Sequence, residues 1–179
     1  MKNRKNSSKR VALYMAEGGL IAALYVVLTL LANAMGLANY AIQLRFSEAL
    51  CILPVFTPAA VPGLFIGCLI ANLITQLPWQ DVVFGSLATL LGALGAYLIG
   101  KVWGKRVRLC AWTAGIPTVI ANVLIVPPLL KFVYMIPGSV WYFYLTVGAG
   151  EVLSAWLLGA LLFLALYKRK DHIFHSGLY

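Results

Sequence analysis

The chain has 179 residues but only five acidic ones and two histidines, so the groups able to do chemistry are few. Glu48, Asp81 and Glu151 stand in or at the edge of apolar stretches, as do the amides Asn72, Gln76 and Asn122. An ionisable side chain in hydrocarbon is costly and turns toward a bundle interior or a cavity, which makes each carboxylate a binding candidate. Glu17 lies near the start of an apolar run, where it can snorkel or pair with Arg10. Asp171, His172 and His175 sit in the C-terminal tail. Nothing points to catalysis or to a bound metal or cofactor: HExxH, GxSxG, a P-loop and metal-spaced Cys/His sets are all missing from the sequence. Cys51, Cys68 and Cys110 read as small buried hydrophobes. The chemistry that remains is recognition by carboxylates, amides and nearby aromatic rings.

The elements that position these groups follow from composition. The chain is 62% hydrophobic and 11% charged, whereas soluble domains carry roughly a quarter charged residues, so its solvent is the bilayer. The net charge of +9 comes from short basic clusters between apolar runs, the pattern that orients membrane proteins, and nucleic-acid binding is not expected. Hydropathy gives a first helix at about 11–35, too long for a signal peptide and therefore retained. An apolar block covers 46–77, and further helices fall at about 82–100, 109–130 and 140–167. One helix over 46–77 would hold Pro54, Pro58 and Pro62 in its interior at about 3 kcal/mol each, so a break near Thr57 to Gly63 makes two short helices.

Six spans place Lys2/Arg4/Lys5/Lys9/Arg10, Lys101/Lys105/Arg106/Arg108 and Lys168/Arg169/Lys170 on one side, with only Arg45 and Lys131 outside. The expected fold is thus an all-α integral membrane protein of six transmembrane helices with both termini inside a bacterial plasma membrane. Residues 1–10 form a basic N-terminus, 11–167 a single membrane domain and 168–179 a cytoplasmic tail. Outer loops fall at about 36–45, 77–81 and 131–139.

This topology gathers Glu48, Asp81, Glu151, Asn72, Gln76 and Asn122 in the outer half, with Gln43, Arg45, Trp79, Gln80, Trp141, Tyr142 and Tyr144 beside them. Tyr144, Gly148, Glu151, Ala155 and Gly159 recur at helical spacing, and small residues mark a packed face, so Glu151 points into the bundle. Asp81, Gly85, Ala88, Gly92 and Gly95 make a similar stripe. Plainer readings stand beside these. Asp81 suits a helix N-cap, Glu48 a local pair with Arg45, the asparagines interhelical hydrogen bonding, and the aromatics an interfacial belt.

The stretch Gln43-Leu44-Arg45-Phe46-Ser47-Glu48-Ala49-Leu50 resembles a signature of the QueT family of queuosine-precursor transporters, and Asp81 to Leu90 resembles the family's second signature. Pro62-Gly63 with Gly67 to Asn72, Pro117 with Asn122, and Gly150-Glu151 match in the same order, so the resemblance spans about residues 10 to 167. It implies an S-component of an energy-coupling factor (ECF) transporter. Such a six-helix subunit binds a micronutrient outside and docks on a scaffold membrane subunit carrying two ATPases. The pairs Gly18/Ala22 and Gly19/Ala23 would contact that scaffold or, alternatively, pack within the bundle.

The implied ligand is a 7-deazaguanine, a queuosine precursor such as preQ0 or preQ1. Its N1–H and 2-amino donors suit one carboxylate among Glu151, Glu48 and Asp81. Asn72, Asn122, Gln43 and Arg45 would serve its acceptors, and Trp79, Phe84, Trp141, Tyr142 and Tyr144 its ring faces. A cationic substituent would engage Glu48 or Asp81. An S-component for another vitamin and a non-transporting membrane scaffold are the rival readings.

Overall fold

The computed structural model describes residues 2–37 and 44–174, and Gln43 and His175 lie outside them. The described residues hold helices and no strand. Four helices are long and apolar enough to cross a membrane. These are α1 (Lys2–Ala34), α3 (Trp79–Trp103), α4 (Val107–Val133) and α5 (Val140–Tyr167). The apolar block forms two shorter pieces, a 3-10 helix Phe46–Val55 and α2 (Ala60–Ile74). A last short turn, α6 (Lys170–Ile173), follows α5.

The proline break falls where the chain chemistry demands it. Pro54 lies in the last turn of the 3-10 helix, the turn at Thr57 carries Pro58, and Pro62 occupies the first turn of α2, where a missing N–H costs least. The element before the break differs from an ordinary span. Its 10 residues are 3-10 helix, rising about 20 Å at ~2.0 Å per residue, and the 15 residues of α2 rise about 22 Å. Each is shorter than the ~30 Å of hydrocarbon. In α4, Pro127 and Pro128 withdraw two donors, and the following turn, Leu129–Val133, relaxes to π geometry. Two boundaries shift from expectation: α1 takes in the basic N-terminal residues, and Trp79, Gln80 and Asp81 belong to the first turn of α3 instead of a loop.

The 3-10 helix is the centre of the bundle. Ser47 to Val55 are all buried, and α1, α2, α3 and α5 pack on it. Helices approach closely where glycines allow. A Cβ on Gly63 would stand 2.6 Å from the Gly18 carbonyl oxygen, one on Gly67 2.9 Å from that of Ala22, and one on Gly115 2.5 Å from that of Ala155. At the end of the bundle carrying the basic clusters, Phe56 stacks between Phe163 at 4.8 Å and Phe174 at 5.3 Å, closing the core there.

Because Gly67 faces backbone, its neighbours cannot rotate away. Gly67→Val is expected to cost about 1–3 kcal/mol through overpacking, read as a lower melting temperature in detergent. Gly19→Ala, with nothing within 4 Å of the added carbon, leaves the melting temperature at or above that of the wild type.

Candidate functional site

The buried polar groups converge on the end of the bundle opposite the basic clusters. Glu48 is 1% exposed and Glu151 4%. The 3-10 helix places Glu48 against α1, where the Tyr25 hydroxyl donates to Oε1 at 2.5 Å, and the Cys51 thiol, three residues on, donates to Oε2 at 3.2 Å. The partners of Glu48 are therefore Tyr25 and Cys51, in place of the local Arg45 pair that sequence spacing offered. One turn further along α1, Thr29 donates to Ser47 Oγ at 2.8 Å, a second bond joining α1 to the central helix.

Glu151 comes from α5, at the point where the helix passes into the π segment Val152–Leu158. Asn122 of α4 lies beside its carboxylate, and Asn122 Nδ2 also donates to the Thr118 carbonyl at 3.2 Å. Glu151 Oε2 is buried without a hydrogen-bond partner, as is Thr118 Oγ1. Buried polar atoms are nearly always bonded, so an unpartnered carboxylate oxygen marks a position where a donor is wanted. Glu48 and Arg45 both stand within electrostatic reach of Glu151.

Nearer the surface, Asp81 is half-buried on the first turn of α3. It is not the N-cap of that helix: Pro78 holds that position, and no side chain caps it. Asn72 of α2 donates to the Asp81 carbonyl at 3.2 Å, an approach left open by the absent side chain of Gly85. Asp81, Asn72, Arg45, Thr29, Asn33 and Thr75 line a polar cavity of about 70 Å³. The Asp81 carboxylate feels Arg45 and adjoins Tyr134, whose hydroxyl is pushed up to about 12 by burial and then by Asp81. It stays protonated through the physiological range and able to donate.

Arg45, Glu48, Asp81, Asn72, Asn122 and Glu151 are thus brought to one region. The aromatic candidates are not. Trp79 is 67% exposed, Trp141 77%, Tyr142 49% and Phe84 40%, positions that suit an interfacial or lipid-facing belt, while Tyr144 is half-buried with its ring 6.1 Å from that of Trp141. On α1, Gly18 and Ala22 pack against α2, whereas Gly19 and Ala23 face outward. Glu17, near the other end, accepts from Thr57 at 2.8 Å. Sequence reasoning passed over Tyr25 and Thr29; their four-residue spacing, in step with buried Ile21 and Ala32, was the available signal.

Four membrane-length helices around an apolar core, with buried unpartnered polar atoms collected at one end, are the architecture of a multi-pass membrane protein. The chain belongs to the QueT transporter family, whose pattern matches residues 15–168, and that family is one of transporters, not enzymes. A curated relative, "Queuosine precursor transporter QueT" of Lactococcus lactis subsp. cremoris (strain MG1363), is 35% identical over 83 residues, covering 46% of this chain and 48% of the relative. The alignment therefore spans about half the relative's length. No solved structure matches the chain.

Tyr25→Phe keeps the ring and removes the donor, leaving Glu48 Oε1 unsatisfied. The expected loss is about 1–3 kcal/mol, measured by thermal or denaturant unfolding in detergent. Thr29→Val, which breaks a neutral bond, costs less, about 1 kcal/mol.

Proposed function

We propose that this chain is the substrate-binding membrane subunit, the S-component, of an ECF-type importer, and that it captures a queuosine precursor of the 7-deazaguanine class, such as preQ0 or preQ1, for ATP-driven uptake. The observation that carries this reading is the unpartnered, buried Glu151 carboxylate oxygen within a cluster of Arg45, Glu48, Asn122 and Asp81. A flat base with adjacent N–H donors and carbonyl acceptors supplies what those groups lack. Since both Glu48 oxygens are already bonded within the protein, Asp81 and Glu151 are the carboxylates free to meet the ligand, and Arg45 and Asn72 the donors to its acceptors. The cavity at Asp81 is smaller than the ~300 Å³ of ordinary ligand pockets, so the outer segments rearrange around the base.

In this reading six helices cross a bacterial plasma membrane with both termini inside, as the three basic clusters favour, and the two short elements are shielded by their neighbours. The sequence has no nucleotide-binding motif, so a scaffold membrane subunit and two ATPases supply the energy. The outward-facing Gly19 edges an apolar groove of about 280 Å³ with Gly18, Ala22, Gly63 and Ile66. Small residues permit close helix approach in lipid, so this surface suits the scaffold's helices.

The test is thermal stability of the purified protein with 7-deazaguanines, guanine, biotin, folate, riboflavin and thiamine, because a ligand of the folded state raises its melting temperature by mass action. A rise with a 7-deazaguanine alone is expected. Glu151→Ala should then weaken binding by about 2–5 kcal/mol, typical of truncating one partner in a buried charged contact. A rise with another vitamin overturns the ligand, and full affinity in Glu151→Ala overturns the site.

A further inference from the structure

The end of the bundle away from the buried carboxylates carries a second concentration of charge, which is independent of the proposed function. The stretches 101–108 and 168–171 hold seven basic residues and one acid, Asp171. Folding brings the two stretches side by side. The start of α4, Val107–Thr113, packs against the end of α5, Gly159–Tyr167. The crossing is fixed where the Trp156 indole donates to the Trp112 carbonyl at 2.6 Å and where Gly115 meets the backbone of Ala155 and Trp156. Lys101 and Lys170 lie over the rings of Tyr97 and Tyr167, each at 4.8 Å, whereas Arg106, Arg108, Lys168 and Arg169 are exposed. Like charges gathered at the mouth of two packed helices repel one another, and an anion between them relieves that repulsion.

Beyond these charges both helices turn apolar, and their outer faces adjoin. Arg108 shares a face of α4 with Trp112 and Ile116 at steps of four, and Lys168 shares a face of α5 with Leu164 and Leu161; all four apolar side chains are exposed. The Trp112 and Trp156 rings meet edge-on at 5.9 Å where the two faces join. Cations at the rim, an indole pair next to them and bare aliphatic side chains further along match the headgroup, interface and acyl layers of a phospholipid. We propose that this α4–α5 face binds an anionic phospholipid, its phosphate held by Arg108 and Lys168 with Arg106 and Arg169 beside them, and its acyl chains lying along Ile116, Leu161 and Leu164. A soluble phosphate leaves the aliphatic part of the face uncovered, and a zwitterionic headgroup brings an ammonium to a rim that is already cationic. Charge complementarity therefore selects the anionic lipid.

The full-length protein in phosphatidylcholine vesicles, titrated with phosphatidylglycerol brominated on its acyl chains, provides the test, because bromine quenches tryptophan fluorescence on contact and Trp112 and Trp156 sit in the proposed site. Brominated phosphatidylcholine is the reference. Phosphatidylglycerol is expected to associate roughly twentyfold more strongly, two basic contacts at about fivefold each. In Arg108→Gln/Lys168→Gln that preference should fall to within about twofold, while Lys5→Gln/Lys9→Gln, which removes equal charge from the N-terminal cluster, keeps it. Equal association of the two lipids with the wild type overturns the proposal. Equal losses in the two double variants show diffuse attraction to the net charge and overturn the site. Displacement of the brominated lipid by soluble glycerol phosphate overturns the lipid as its occupant. Should the first double variant fail to fold, Arg108→Gln and Lys168→Gln singly carry the same comparison, each with about a fivefold loss expected.

Discussion

A carboxylate enclosed in an apolar bundle must be hydrogen-bonded, or its burial outweighs anything its neighbours contribute, and Glu48 is where this protein meets that constraint. Its two oxygens are answered from different directions, by Tyr25 on α1 and by Cys51 on the next turn of its own helix. The bond from Tyr25 fixes the register of α1 against the central 3-10 helix, and Thr29 to Ser47 repeats the link one turn along. Because α2, α3 and α5 also pack on that helix, the placement of one buried acid sets the positions of most of the bundle. The glycine contacts between α1 and α2 then follow: with the register fixed, Gly63 and Gly67 meet the α1 backbone where a side chain would not fit.

Irregular backbone is concentrated beside the buried carboxylates. The 3-10 geometry covers Glu48, a π segment begins immediately after Glu151, and a second π turn follows Pro127 and Pro128. In hydrocarbon such departures survive only where protein covers them or a cavity adjoins them, and π turns gather at functional sites. Here the cover is complete for the 3-10 helix, whose residues from Ser47 onward are buried. The site is therefore built on backbone that could not face lipid, and its neighbours are committed to shielding it.

The long spans and the proline break were readable because both rest on local chemistry: hydropathy extended over some 20 residues, and prolines that cannot donate. The inward turn of Glu151 was readable from the small-residue spacing of its helix. What the sequence did not disclose depends on which faces meet. Phe46 to Val55 has nothing in its composition that separates a 3-10 rod from a short α-helix. Tyr25 looks like one more apolar residue of α1 until the bundle brings Glu48 opposite it. The exposed rings of Trp79 and Trp141 stand near the site in the chain yet point away, because proximity to a loop fixes depth along the bundle and says nothing of rotation about a helix.

That rotation matters for how a site of this kind exchanges its contents. One face of α1 carries Ile21, Tyr25 and Thr29 into the bundle, and the opposite side presents Gly19 and Ala23 outward, so a single rigid helix joins the buried acid to an open surface. A displacement of α1 relative to the central helix cannot leave the Tyr25–Glu48 bond intact, and losing it strands a buried carboxylate oxygen at about 1–3 kcal/mol. Such a cost is comparable to the coupling energies that link two sites in proteins generally. The hydrogen bond that holds the bundle in register is thereby also the element through which a force on the outer face of α1 would be felt at the end of the molecule that encloses Glu48 and Glu151.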